Sequence, residues 1–110
     1  FSLNARLAGG HWLYRMSHAF IFHRLARTAR RTLVNSRIKS TDRVFGLLQN
    51  GRVNEAFILK LLSRLPDGDS ELYSHPSLDE FPDEFAALIS PRVRRKLTES
   101  GIQLIRYQDL

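Results

Sequence analysis

The chain has no cysteine. That excludes a disulfide framework and any thiolate metal site, and it fits a reducing compartment without requiring one. No window reaches the roughly 18 consecutive apolar residues of a spanning helix, so no transmembrane segment is expected. No signal peptide with a small-residue cleavage site is expected either. P-loop, GxGxxG, GxSxG and HExxH patterns are all missing, so no nucleotide, hydrolase-elbow or zincin chemistry can be argued from motifs. Acidic residues are absent from the first 40 positions, which hold seven arginines and Lys39. Residues 41–110 carry nine basic and eleven acidic residues. The net charge of +6 therefore belongs to the first third of the chain. Such asymmetry points to an anionic partner, a membrane surface or nucleic acid.

The 110 residues suffice for one small domain with a modest core. The chain starts at Phe1 rather than methionine, so it is expected to be a processed or excised piece of a longer protein. Gly9-Gly10 is a break. Beyond it Ala19, Phe22, Ala26, Ala29 and Leu33 recur at steps of three and four, with Arg24, Arg27, Arg30 and Arg31 on the opposite side. That spacing predicts an amphipathic helix over 12–34, and Arg15, which falls in its apolar stripe, suggests a start after that residue. "DRVFGLL" (42–48) reads as a short buried strand, and "QNGR" is turn chemistry, since Asn-Gly tolerates positive φ. "VNEAFILKLLSRL" (53–65) is a helix whose broad apolar face comprises Ala56, Ile58, Leu59, Leu61, Leu62 and Leu65. Pro66 and "DGD" stop it. "SELYSH" (70–75) is a second strand and "DEFAALIS" (83–90) a short helix. Ser90-Pro91 starts another, with serine as N-cap and proline at the first position. Gly101 ends it, and "IQLIRY" (102–107) is a third strand. The order gives two consecutive βαβ units and so an α/β fold with parallel strands. Residues 1–36 form a basic, insertion-like helical segment, and 37–110 form the βαβαβ part of a single incomplete domain.

Ligands in such folds sit at the carboxyl ends of the strands, where His75, the "GLLQNGR" loop and "YQDL" all fall. On pattern alone His75 reads first as a strand-terminal histidine whose Pro76 ends the ladder. The second reading is an acid–base group. Glu71 shares its strand face but lies about 13 Å away at roughly 3.3 Å per residue, too far to orient the ring directly. His11, His18 and His23 are spaced by seven and five, whereas one metal ion needs spacings of three or four. The acidic residues from Asp79 to Glu84 read as helix starts, where negative charge suits the dipole. The arginine face, with Trp12, Tyr14, Phe20 and Phe22 nearby, reads first as a solvated or intramolecular face. A membrane contact comes next, and nucleic acid, with no motif behind it, comes last.

Taken in order, "TDRVFGLL", "LLSRLPDGDSELYSHPS" and "LISPRVRRKLTESGIQLIRYQDL" resemble the carboxyl-terminal part of the YdjC/ChbG-like carbohydrate deacetylases, nearest the hopanoid-biosynthesis-associated HpnK branch. The likeness is good over 38–110, and residues 10–36 look like that branch's arginine-rich helical insertion. The resemblance implies a distorted (β/α) barrel. It implies metal-dependent hydrolysis of an N-acetyl group on an amino sugar, which for this branch is a lipid-linked N-acetylglucosaminyl hopanoid. A lipid-linked substrate would explain a basic, aromatic helix that faces a membrane, and the expected location is cytoplasmic, peripheral to the inner membrane. The resemblance further implies a divalent metal, magnesium or zinc, held by an aspartate and two histidines. Those metal motifs are not in this chain, and a whole barrel needs roughly 250 residues. The chain is therefore expected to hold no metal, to be inactive alone, and to self-associate through open strand edges or exchange of its first helix. One family residue carries over, the histidine of the His-Pro motif, which lands on His75 as a catalytic group. The rival expectation is a non-enzymatic basic module that docks on anionic lipid or nucleic acid through the 12–34 helix.

Overall fold

The computed structural model describes residues 12–33, 36 and 38–110, and within 12–19 only the side chain of Ser17. The elements run α1 (Trp12–Leu33), β1 (Arg43–Phe45), α2 (Glu55–Leu62), β2 (Ser70–Leu72), α3 (Pro82–Leu88) and α4 (Pro91–Glu99), followed by a 3-10 turn at Tyr107–Asp109. Among the described residues this is a mixed α/β structure with four helices and a two-stranded parallel sheet. The helix begins at Trp12, ahead of Arg15.

Strands β1 and β2 pair in parallel, with Arg43 opposite Ser70 and Phe45 opposite Leu72. The Asp42 amide donates to the Asp69 carbonyl at 2.9 Å and the Tyr73 amide to the Phe45 carbonyl at 2.8 Å, so the ladder runs slightly past both ends. Both strands are shorter than their apolar runs suggest. Gly46 ends β1 at φ +96°, and a Cβ there would stand 1.9 Å from the Tyr73 carbonyl oxygen. Only glycine tolerates that backbone and that approach.

Helix α2 crosses between the strands, giving one βαβ unit. Its N-cap is Asn54, whose Oδ1 accepts the Phe57 amide at 3.0 Å. Phe57, Ile58 and Leu61 are buried, with Leu59, Leu62 and Leu65 half-buried beside them. Ala56 is exposed and Phe57 buried, so the face keeps its other predicted residues and exchanges Ala56 for Phe57. Helix α4 is capped as its sequence predicts. Ser90 Oγ accepts the Arg92 and Val93 amides at 3.1 and 3.3 Å, and Pro91 occupies the first helical position. At its other end the Gly101 amide donates to Thr98 and the Ile102 amide to Leu97. With Gly101 at φ +64° this is a Schellman closure. The core is Phe45, Val53, Phe57, Ile58, Leu61, Ala87 and Val93, where α2 packs against α3 and α4.

The predicted third strand does not form. Residues 103–105 are exposed and pair with no strand. Their β-branched and apolar composition matches a strand, but an isolated extended segment has no ladder partner to satisfy its backbone. The chain instead leaves Gly101, passes an apolar groove of about 500 Å3 beside the sheet, and closes into the 3-10 turn. "YQDL" thus lies in that turn rather than at a strand end. Arg106 and Asp109 cap the turn reciprocally, and this pairing holds the Asp109 carboxyl below its ordinary range. The Tyr107 hydroxyl donates to Glu71, and that bond pushes the phenol pKa up.

Ile58 is 2% exposed and Leu104 is 77% exposed. Ile58→Ala should lower unfolding stability by about 2–5 kcal/mol, as for a core truncation, while Leu104→Ala should change it by less than about 0.5 kcal/mol. Urea denaturation distinguishes them. An equal cost at Leu104 would place 102–107 in the core as a true strand.

Candidate functional site around His75

Parallel pairing brings the loop after β1 (46–53) and the loop after β2 (73–81) to the same end of the sheet. His75 lies three residues past the end of β2. It is part of the loop, not the last residue of the strand, and is half-buried. Its Nε2 is 3.0 Å from the Tyr73 hydroxyl. The two rings meet edge to face, with centroids 4.8 Å apart at 86°, an arrangement that favours the positive edge of one ring over the π face of the other. Phe81 leans on the other side at 5.9 Å. Tyr73 therefore takes the orienting role that Glu71 is too distant to play, and Glu71 turns to Tyr107 instead.

The loop geometry rests on Glu84, a residue the sequence reading treated as one of several dipole-complementing acids. Asp83 is exposed as that reading expects, but Glu84 is 0% exposed. Its Oε1 accepts the Val53 amide at 3.0 Å and its Oε2 accepts the His75 amide at 2.5 Å. One carboxylate thus joins the loop after β1 to the loop after β2. Bonds from backbone N–H groups to a carboxylate are about twice as strong as neutral ones. A signal for this existed in the sequence. Glu84 stands three residues before buried Ala87 on a helix of seven residues, so it occupies the apolar stripe.

Supporting contacts fix the same two loops. Gly51 sits at φ +76°, and a Cβ there would meet the Phe81 ring at 2.6 Å. Ser77 Oγ accepts the Asp79 and Glu80 amides, both at 3.1 Å, and shapes the approach to α3. His75 is thereby presented by a backbone tied down on three sides, with a hydroxyl on one ring nitrogen. Such a group can donate or accept a proton at a substrate held above the strand ends.

The divalent metal implied by the resemblance does not fit these residues. The neighbours of His75 are a phenol and a phenyl ring, and both Glu84 oxygens are already occupied by backbone amides. Among the described residues no three His, Asp or Glu side chains converge to hold an ion. Of the other histidines, His11 lies outside the described residues, as does the side chain of His18. His23 is exposed on α1.

Glu84→Gln keeps the shape but puts an amide NH2 against one of the two backbone donors. It should cost about 1–3 kcal/mol of stability and speed hydrogen exchange at the Val53 or His75 amide relative to the α2 core. Stability within about 0.5 kcal/mol of wild type, with unchanged exchange at both amides, would remove Glu84 from this role.

No curated protein matches the sequence, and no solved structure matches it. The family model of the YdjC-like proteins matches residues 2–99. The match takes in the arginine-rich helix and stops short of the "IQLIRYQDL" tail, which the motif resemblance had included. The chain belongs to the YdjC-like protein family.

Proposed function

We propose that this chain is the carboxyl-terminal part of a barrel-type carbohydrate deacetylase that hydrolyses an N-acetyl group on an amino sugar, with His75 as its proton-transfer residue. The observation that carries the reading is the placement of His75. It stands beyond the carboxyl end of a parallel strand, its backbone gripped by buried Glu84 and its ring held by Tyr73. Membership of the YdjC-like family, whose members are generally deacetylase-type hydrolases, supports the reaction class.

Amide hydrolysis adds the elements of water across the C–N bond and yields acetate and a free amine. The departing nitrogen must gain a proton as the bond breaks, because an amide anion is far too basic to leave. An imidazolium within hydrogen-bond reach supplies that proton, and before that its N–H stabilises the oxygen that gathers negative charge. Tyr73 sets the ring's orientation and Glu84 sets its position. In the HpnK branch, which "ELYSHP" resembles, the substrate is an N-acetylglucosaminyl hopanoid, and we carry that substrate to this chain as the finer part of the proposal.

In the protein that carries this chain, His75→Gln should lower kcat for acetate release about 10²–10⁴-fold, the usual worth of a general acid, with KM changed little. Tyr73→Phe should lower kcat less. A His75→Gln enzyme within threefold of wild type would refute the assignment.

A further inference from the structure

Helix α1 is unlike every other helix in the fold. At about 3.6 residues per turn, Ile21, Phe22, Leu25, Ala26, Ala29 and Leu33 share one arc, and Arg24, Arg27, Arg30 and Arg31 share the other. The apolar arc is largely uncovered. Ile21 is 52% exposed and Leu25 59% exposed, and Ala26 and Ala29 are exposed as well. Phe22 and Leu33 are half-buried. Arg24 and Arg30 stand at the two edges of the arginine arc, next to the apolar one, and Arg27 and Arg31 lie between them. No acidic residue lies on the helix or anywhere in the first 40 positions. Arg30 reaches back to the Asp42 carbonyl at 3.3 Å and ties the helix to the entry of β1. Arg24 sits over the Phe20 ring at 5.8 Å.

We propose that α1 is an interfacial helix that rests on an anionic lipid bilayer surface. The charge pattern selects this occupant. Arginine stems can lie along the apolar arc while their heads reach phosphate groups, so both arcs are used at once only where an apolar layer lies directly beneath an anionic one. Phosphates of a nucleic acid would engage the arginine arc and leave Ile21 and Leu25 in water. A second copy would set two arginine-bordered seams together with no acidic partner on either. No described helix is long and apolar enough to cross a membrane, so the contact is peripheral. It does not depend on the deacetylase reading, because none of its residues belongs to the His75 site.

Co-sedimentation of the protein that carries this chain with vesicles tests it. Binding to vesicles of equal phosphatidylglycerol and phosphatidylcholine should exceed binding to pure phosphatidylcholine at least tenfold and should weaken at high salt. The triple variant R24Q/R27Q/R31Q, which spares Arg30, should bind roughly a hundredfold more weakly for three charges removed near the surface. The double variant I21S/L25S should lose tenfold or more. Both change exposed side chains only. Equal binding to the two vesicle types would overturn the proposal, as would wild-type binding by I21S/L25S. Tighter binding to a single-stranded oligonucleotide than to anionic vesicles, indifferent to I21S/L25S, would overturn it in favour of nucleic acid.

Discussion

A single buried carboxylate, that of Glu84, holds together the end of the molecule where chemistry is expected. Removing a carboxylate from water costs several kcal/mol unless its oxygens are matched by donors, and here each oxygen accepts one backbone N–H. Those two donors belong to different loops, one after each strand of the parallel pair. Neither loop has a ladder of its own to fix it. The carboxylate acts as the missing rung, and the loop that carries His75 inherits its position from a helix that follows it in sequence. Gly46 and Gly51 make the closure possible, since at both positions a side chain would collide with the neighbouring loop.

The remainder of the fold places this rung. Parallel pairing of β1 with β2 requires a crossover, α2 supplies it, and the crossover sends both strand exits to the same side. Helices α3 and α4 pack on α2, which brings Glu84 up against the strand exits from behind. At the start of α4, Ser90 caps the helix while its hydroxyl donates to Glu55 at 2.5 Å, and Arg92 reaches the same carboxylate at 2.8 Å. The N-termini of α2 and α4 are thereby joined. That ion pair is largely exposed and contributes at most about 1 kcal/mol, so it sets the register of the helices more than their stability.

Features fixed by local chemistry were legible in the sequence. The Ser90-Pro91 start, the Gly101 stop, the Asn50-Gly51 turn and the existence of each helix follow from capping and φ preferences that act within a few residues. The position of His75 was legible in part: it lies near the carboxyl end of a parallel strand, though in the loop rather than as the strand's last residue. What escaped depends on partners distant in sequence. Residues 102–107 have strand composition, yet a strand exists only where an edge accepts it, and no local pattern reports that. Glu84 looked like its neighbours Asp79, Glu80 and Asp83 because a helix start welcomes any acid. Beyond its three-residue spacing to Ala87, the amides of Val53, 31 residues away, and of His75 single it out. Phe57 joined the core in place of Ala56 at the edge of an otherwise matching face, where the neighbouring elements decide which flank is covered.

One Glu84 carboxylate receives both the Val53 and the His75 amide. Solution NMR can observe this directly through scalar couplings transmitted across hydrogen bonds, from each amide nitrogen to the Glu84 carboxyl carbon. Both couplings should appear in the wild-type chain. A spectrum with a coupling from only one of the two amides, or from neither, would contradict it and would leave the position of His75 without a physical cause.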